Sequence, residues 1–83
     1  MSYFVYVLRS INYNRLYTGY TEELKQRLMD HNYGLVGSTK AYKPWQLIYY
    51  EAHRNKTLAR KAEIFYKTGQ GRRQLKKKLG LDD

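Results

Sequence analysis

Two short aromatic runs near the start of the chain constrain its fold more than any other feature. Residues 3–10 and 16–20 are rich in β-branched and aromatic side chains, and the polar residues 12–15 between them turn the chain back. This pattern predicts an antiparallel hairpin whose register the sequence leaves open. The first run is apolar on both faces, which favours a central strand. We expect the hairpin to bring Tyr6 close to Tyr17.

A helix is predicted directly after the hairpin. Thr21 is a good N-cap, and the two glutamates that follow it would complement the helix dipole in the first turn. The pattern continues to about Asn32. Leu24 and Leu28 mark the stripe that this helix is expected to bury.

The second half of the chain predicts one more strand and two more helices. Residues 45–52 are apolar and aromatic, which is typical of a strand. Asn55 or Thr57 can cap a helix that runs to about Thr68. The buried face of this helix is expected to carry Leu58, Ala62, Phe65 and Tyr66.

Two glycines are predicted to separate the last two helices. Gly69 is placed to end the first of them, and Gly71 to precede a short basic helix that reaches Leu79. The order β-β-α-β-α-α indicates a single α+β domain over residues 1–83, with a small, mainly antiparallel three-stranded sheet packed with helices. The loop at residues 33–44 is long for such a domain, which makes it a candidate for function.

Length and composition limit the kind of site and the environment. A chain of 83 residues buries only about 60% of its unfolded surface, so we expect a shallow groove. The absence of cysteine excludes disulfides and thiolate zinc sites, and it fits a reducing cytoplasm, with the nucleoid as one location there. The apolar residues 3–8 are too few to span a membrane, so no membrane association is predicted.

Positive charge is concentrated in the C-terminal part of the chain. Residues 1–53 hold six basic and four acidic residues, a net of +2, whereas residues 54–83 hold ten and three, a net of +7. This asymmetry favours a polyanionic partner, because each neutralised phosphate releases counterions. Nucleic acid is the first expectation. Lysines that only keep a tyrosine-rich domain in solution would give the same count.

Arg27 and His31 lie one turn apart on the first predicted helix, beside its buried stripe. Arg27 can offer a planar fork of donors to a phosphate, and His31 can transfer a proton near neutral pH. We expect both side chains at the edge of the core. The same spacing also fits a solvated arginine and a helix-terminal histidine stabilised by the helix dipole.

Glu63 is the sole acidic residue between positions 54 and 81, and it lies among Arg60, Lys61 and Lys67. We expect it on the rim of the second helix's buried face. One carboxylate is enough for Mg²⁺ when waters and phosphate oxygens complete the coordination shell. The alternative is an ordinary i,i+4 pair with Lys67, worth roughly a few tenths of a kcal/mol.

Tyrosines in strands are usually packing residues, and the chain has ten. Tyr6 and Tyr17 stand out through their neighbours, because a phenol close to Arg27 would have its ionised form favoured and could accept a proton from water. Other aromatic residues can either stack on bases or pack in the core, and the sequence does not assign them: Tyr13, Tyr20, Tyr33, Tyr42 and Trp45.

These residues together resemble the GIY-YIG nuclease superfamily, and within it the small single-domain bacterial proteins of the UPF0213 type. Phe4-Val5-Tyr6 takes the place of the first tripeptide and Tyr17-Thr18-Gly19 that of the second. Further family positions follow in order along nearly the whole chain: Arg27, His31-Asn32, Pro44-Trp45, Glu63 and Gly71-Arg72-Arg73. Two features depart from the pattern. Phe4 replaces a glycine, and no downstream asparagine matches that of the family's repair excinuclease.

The resemblance implies a metal-dependent endonuclease that hydrolyses phosphodiester bonds, in DNA in preference to RNA, in repair or recombination. Tyr6 would be the general base and Tyr17 would orient the water or the phosphate. Arg27 would stabilise charge in the transition state, and Glu63 would hold one divalent ion, Mg²⁺ or Mn²⁺. His31 matches the members that have histidine there. We expect a C-terminal basic cluster to follow the phosphate backbone, comprising Lys67, Arg72, Arg73, Lys76, Lys77 and Lys78.

Two other functions stay open from the sequence. The chain fits a nucleic-acid-binding module without hydrolytic activity, and it fits an interaction domain that joins a repair complex through its aromatic surface. Nuclease and module both predict salt-dependent binding. Only the nuclease predicts that replacing Glu63 with alanine abolishes metal-dependent cleavage, and only the interaction domain predicts a protein partner together with indifference to phosphate.

Overall fold

The structure, a computed structural model that describes residues 2–81, has three strands and three α-helices within that range. A 3₁₀ turn at Lys40–Tyr42 precedes the third strand. The elements are β1 Tyr3–Ser10, β2 Leu16–Thr21, α1 Leu24–Asn32, β3 Trp45–His53, α2 Lys56–Lys67 and α3 Gly69–Lys78. The predicted α+β class and the order β-β-α-β-α-α are confirmed. Of the predicted domain at residues 1–83, Met1, Asp82 and Asp83 lie outside the described residues.

The three strands form one antiparallel sheet in the order β2-β1-β3. β1 is therefore central, as its two apolar faces predict, and β2 lies at an edge. The hairpin register pairs Tyr6 with Gly19 and Leu8 with Tyr17. Because cross-strand partners share a face, all four of these residues lie on the same side of the sheet.

One face of the sheet is covered by α1. Tyr6, Leu8 and Trp45 form the buried cluster on this face, and Leu24 and Leu28 pack against it. The predicted buried stripe of α1 is confirmed. This packing places the next turn of α1 above the Tyr6 ring, which decides the surroundings of the site.

The opposite face is covered by α2 and α3, and here the predicted buried face of α2 is partly wrong. Ala62 and Tyr66 are half-buried as expected, but Leu58 and Phe65 are not on the packed side. The buried residues of α2 are Ala59 and Glu63, whereas Leu58 is 40% exposed and Phe65 is 37% exposed. A small residue at position 59 lets the helix approach the sheet closely. The Tyr66 hydroxyl donates a hydrogen bond to Glu51 on β3, at 2.7 Å, and it holds the helix in this rotation.

Helix boundaries also differ from the sequence prediction at two places. α1 begins at Leu24, two residues later than an N-cap at Thr21 would require, and its N-cap residue Glu23 makes no side-chain cap bond. The Thr21 hydroxyl instead accepts from the Glu23 N–H at 3.1 Å, which forms a turn ahead of the helix. Asn55 caps α2 as predicted, accepting from the Leu58 N–H at 2.9 Å.

The boundary between α2 and α3 is made by Thr68 and not by the glycines. Thr68 follows the last residue of α2 and is the N-cap of α3, where its hydroxyl accepts from the Gly71 N–H at 3.0 Å. Gly69 and Gly71 are both helical residues of α3. The predictions for these two glycines are wrong because Thr68 alone separates the helices. It is the C-cap residue of α2, and its side chain caps the start of α3.

Within residues 2–81, none of the helices combines the length and the apolar character that crossing a lipid bilayer requires.

Candidate active site

The Tyr6 phenol is the centre of a buried hydrogen-bonded cluster beneath α1. Its hydroxyl oxygen lies 2.8 Å from His31 Nε2, and it accepts a hydrogen bond from Arg27 Nε at 3.4 Å. β1 supplies the phenol, and two successive turns of α1 supply the guanidinium and the imidazole. Tyr6 is 1% exposed and His31 is 0% exposed. The prediction that His31 lies at the edge of the core is therefore wrong.

The second ring nitrogen of His31 is also bound. Nδ1 lies 2.7 Å from the hydroxyl oxygen of Thr39, and this hydroxyl donates to the backbone carbonyl of Val36 at 3.3 Å. Because the Thr39 proton is used in that way, Thr39 accepts from His31 Nδ1–H. The remaining nitrogen, Nε2, then accepts from the Tyr6 O–H. We assign this tautomer from the hydrogen-bond network.

Burial keeps the His31 imidazole neutral. Desolvation, followed by the positive charge of Arg27, lowers the pKa of His31 to about 4. A helix-terminal imidazolium stabilised by the helix dipole, one of the two interpretations that the sequence allowed, is therefore not what the fold produces. Near pH 7 His31 is therefore neutral, and the same lowered pKa makes it a weak proton acceptor.

The Tyr6 phenol is neutral as well, contrary to the expectation from its arginine neighbour. Burial raises the pKa of Tyr6 to about 12, and the hydrogen bond from Arg27 only partly opposes this effect. The charges of Tyr17 and Glu63 raise the pKa further. Tyr6 can thus accept a proton near neutral pH only if it passes its own proton to a neighbour.

Gly19 allows this cluster to assemble. A Cβ atom at this position would lie 2.5 Å from the Tyr6 hydroxyl oxygen and 3.1 Å from Cε2 of Tyr17. The missing side chain lets the Tyr6 phenol reach across β2 toward α1. This close approach gives a packing reason for the glycine of the second tripeptide.

Tyr17 is the more accessible of the two phenols. It is half-buried, and its ring centroid lies 6.4 Å from that of Tyr6 and 5.1 Å from that of His31. The predicted proximity of Tyr6 and Tyr17 is confirmed. Tyr17 also lines an open groove along β2, so it can contact a bound molecule.

Three polar contacts hold the long loop over His31, and sequence reasoning did not find them. The Asn32 amide bonds both the N–H and the C=O of Trp45, and Trp45 Nε1 donates to the carbonyl of Thr39 at 2.9 Å. These contacts position the Thr39 hydroxyl against His31. The length of the loop was the one available signal. Nothing in the local pattern singles out Thr39.

Glu63 lies on α2, which runs alongside β2. α2 contacts β2 on either side of Glu63. The Arg60 guanidinium carbon lies 5.5 Å from the centre of the Tyr20 ring, and Lys67 Nζ lies 5.2 Å from the centre of the Tyr17 ring. The carboxylate pairs with Arg60 at 3.3 Å and with Lys67 at 3.1 Å. The predicted pair with Lys67 is present. It differs from an ordinary surface pair, because Glu63 is only 7% exposed.

The surroundings of Glu63 fit one divalent ion bound mostly by other ligands. No group of three or more histidines, cysteines or carboxylates is available to a metal within residues 2–81. Each oxygen of Glu63 has one cationic partner and keeps a free lone pair. A single carboxylate can hold a divalent ion only if water and phosphate supply the other ligands, and here that ion would share the carboxylate with Arg60 and Lys67.

The predicted basic cluster is divided between different surfaces. Lys67, Arg72 and Lys76 line open grooves beside β2. Lys78 instead donates to the Tyr49 hydroxyl on β3, at 2.8 Å, at the other edge of the sheet. Arg73 and Lys77 are exposed and line neither groove.

The sequence matches the family model of the GIY-YIG catalytic domain over residues 2–78. The chain belongs to the GIY-YIG family. This is a family of endonucleases, so membership implies a nuclease-type function and nucleic acid as the class of substrate. The order of motif positions along the chain predicted this relationship.

Similar proteins carry the UPF0213 designation. The chain is 40% identical over 72 residues to UPF0213 proteins of Streptococcus pyogenes serotypes M3 and M1, covering 86% of this chain and 77% of theirs. Its structure is similar to the solution NMR structure of a UPF0213 protein from Bacillus halodurans. The TM-score is 0.55 at 28% identity, over 90% of this chain and 82% of the other.

Proposed function

We propose that this GIY-YIG protein is a divalent-metal-dependent endonuclease that hydrolyses phosphodiester bonds in DNA. The observation that carries the proposal is the buried cluster of Tyr6, His31 and Arg27, which lies within electrostatic reach of Glu63. A structural core has no need for a neutral phenol bonded to both an imidazole and a guanidinium. Phosphodiester hydrolysis needs a base, a positive charge and a place for the leaving group.

Tyr6 and His31 act together as the base. As Tyr6 takes a proton from the attacking water, its own proton moves to His31 Nε2, so neither a free phenolate nor a hydroxide ion has to be present beforehand. The Thr39 hydroxyl holds the imidazole in the tautomer that can accept this proton. Because the pKa of His31 is lowered to about 4, the imidazolium formed in this relay needs the negative charge of the bound phosphate to stabilise it.

Arg27 and Tyr17 hold the phosphate. Arg27 uses Nε on Tyr6, which leaves its terminal nitrogens to donate to the non-bridging oxygens as negative charge develops. Tyr17, half-buried beside the groove, orients the water or the phosphate through its hydroxyl. Fixed donors of this kind stabilise the transition state more than the ground state.

Glu63 is the residue that would hold the divalent ion. When bound, Mg²⁺ or Mn²⁺ supplies Lewis-acid polarisation of the phosphate and stabilises the leaving oxygen. Glu63 also holds Lys67 close to Tyr17, where the ammonium group can meet a phosphate. We place DNA ahead of RNA and a role in repair or recombination on the family resemblance, and a cytoplasmic, nucleoid-associated location follows from that role.

The test compares the wild-type protein with Glu63→Gln, which removes the charge and keeps the shape. Both are incubated with single-stranded, duplex, branched and RNA substrates with Mg²⁺, with Mn²⁺ and with EDTA. We expect wild-type cleavage that requires the metal, a loss of at least about 100-fold in Glu63→Gln, and DNA affinity within a few-fold of wild type. The matched control is Glu22→Gln, an exposed carboxylate outside the site, and it should cleave like wild type.

Equal cutting by wild type and Glu63→Gln would point to a contaminating nuclease and would contradict the proposal. Salt-sensitive binding without any cleavage would favour the nucleic-acid-binding module instead. Binding of neither DNA nor RNA would leave the interaction domain as the function that fits the aromatic surface.

A further inference from the structure

Two neighbouring grooves follow β2 on the side of the sheet that α3 covers. One has a volume of about 650 Å³ and lies beside the β1–β2 turn; the other, about 200 Å³, continues along β2 to Tyr17 and Lys67. The two grooves share Leu16 and Arg72, so they form one continuous path. We name the larger groove the hairpin groove. Its polar lining consists of Arg9, Asn14, Arg15, Arg72 and Lys76.

Four cationic side chains from three segments meet in the hairpin groove. Arg9 comes from β1, Arg15 from the turn, and Arg72 and Lys76 from one face of α3. Among residues 2–81 no acidic residue lines the groove, and every ion pair found in that range involves Glu51 or Glu63. Like charges held together without a counterion repel one another, so the arrangement indicates an anionic occupant.

The hairpin groove has the chemistry of a phosphate-binding surface and lacks that of a base-binding surface. Arginine side chains offer forks of donors that match phosphate oxygens. None of the lining residues that the structure describes is aromatic, so bases would find no side chain among them on which to stack. An occupant is therefore held by its backbone, without selection by sequence.

The distance from the cleavage cluster follows from the strand geometry. Arg9 and Tyr6 are three residues apart on β1, which corresponds to about 10 Å along the strand at roughly 3.3 Å per residue. Arg9 and Tyr6 have opposite parity on β1, so their side chains lie on opposite faces of the sheet, and a bound strand would pass the β2 edge between the groove and Arg27.

We propose that the hairpin groove is an exosite that binds the phosphodiester backbone of the strand being cut, to one side of the scissile bond. The inference rests on the proposed function for the identity of that strand, while binding in the groove can be measured without cleavage. The groove adds Arg9 and Arg15 to the nucleic-acid contacts. Both belong to the half of the chain whose net charge is low.

The decisive variant is Arg9→Gln/Arg72→Gln, which removes two exposed cations on different elements. Binding of fluorescein-labelled 12-nucleotide single-stranded and duplex DNA is followed by anisotropy in EDTA between 50 and 200 mM NaCl. These are about the conditions in which phosphate contacts dominate affinity. We expect the slope of log Kd against log salt to fall by roughly 1.4 to 1.8, equally for unrelated sequences.

The matched control is Lys25→Gln/Lys61→Gln, which removes the same charge from exposed positions outside both grooves. It should keep a slope much closer to wild type. An Arg9→Gln/Arg72→Gln slope no different from that of the control would overturn the exosite. That result can occur with cleavage intact, in which case the proposed nuclease function survives and the exosite alone fails. Conversely, the salt dependence of binding can decrease as expected even if the protein has no cleavage activity. In that case the exosite survives and the proposed nuclease function fails.

Two further measurements test the position and the nature of the occupant. If the protein cleaves, shortening the substrate stepwise on one side of the cut should remove the advantage of wild type over Arg9→Gln/Arg72→Gln, whereas shortening it on the other side should not. An advantage that does not depend on substrate length on either side contradicts the proposed position. In amide NMR spectra, the oligonucleotide should shift Arg9, Leu16 and Gly80 far more than inorganic phosphate does at the same phosphate concentration. Equal shifts would show an isolated anion site and would overturn a strand as the occupant.

Discussion

At the scale of single residues, His31 shows how burial decides chemistry. Its ring is fully buried, both nitrogens are hydrogen-bonded, and its pKa is lowered to about 4 from an ordinary value of 6.5. Between these two pH values the unfolded chain binds a proton at this histidine and the native protein does not. The stability of the native state therefore falls as the pH falls through this window.

Replacing His31 with glutamine should flatten this pH dependence. We expect the wild-type free energy of unfolding to drop between pH 7 and pH 4 by about 3 kcal/mol more than that of His31→Gln. Urea denaturation at pH 7, 5.5 and 4 measures the difference. The control is Gln74→Ala, at an exposed position without a titratable group, which should keep the wild-type drop. Parallel wild-type and His31→Gln profiles would show that His31 is not buried in its neutral form.

At the scale of elements, the junction of α2 and α3 depends on one close backbone contact. Gly71 is buried in the first turns of α3, and a Cβ atom there would overlap the carbonyl group of Phe65 at the end of α2. The Thr68 hydroxyl fixes the same turn by accepting from the Gly71 N–H. This contact sets the direction in which α3 crosses the sheet and so brings Arg72 and Lys76 to the edge at β2.

Gly71→Ala should therefore destabilise the protein even though alanine is the better helix former. We expect a loss of about 1–3 kcal/mol in the free energy of unfolding, because the obstacle is backbone and cannot rotate away. Gly69→Ala is the matched control in the same helix turn, where a Cβ atom would meet only the end of Arg73 at 3.8 Å. This control should be neutral or stabilising by up to about 1 kcal/mol. Similar urea midpoints for the two variants would contradict the close contact.

At the scale of the whole molecule, one three-stranded sheet joins the two halves of the proposed site. The cluster around Tyr6 lies under α1 on one face, while Glu63 and Lys67 come from α2 on the other. The edge strand β2 lies between them. Gly19 is on this strand at the point where a side chain would collide with the Tyr6 phenol. Because β1 is buried on both faces, neither layer keeps its core when the other is lost.

We expect residues 1–83 to unfold as a single cooperative unit. Trp45, the one tryptophan of the chain, packs in the core beneath α1, whereas far-ultraviolet circular dichroism reports on all three helices. Urea transitions followed by Trp45 fluorescence and by circular dichroism should have the same midpoint. A fluorescence midpoint at a urea concentration well below the circular-dichroism midpoint would show that the α1 layer unfolds separately. The proposed site would then lose the helix that carries Arg27 and His31.

The sequence alone determined the features that depend on neighbouring positions. The alternation of side chains in β1 predicted a central strand, Asn55 predicted the start of α2, and the order of elements predicted the α+β fold, because pleat and cap are local properties. The boundaries at Thr21 and Gly71 were wrong because several polar or small residues in a row can serve as caps. Which one does so depends on what packs against the turn.

The chemical groups of the site could be named from the sequence, but their states could not. Burial of His31, the contact with Thr39, the neutral phenol of Tyr6 and the meeting of Arg9 with Arg72 all require segments that are distant along the chain. Desolvation is the largest cause of both pKa shifts in the cluster, and it is set by whatever covers a group in space. The sequence supplied the hydrogen-bond donors and acceptors. Only the packing of α1 and the following loop onto the sheet decided which of these groups are desolvated, hydrogen-bonded and neutral.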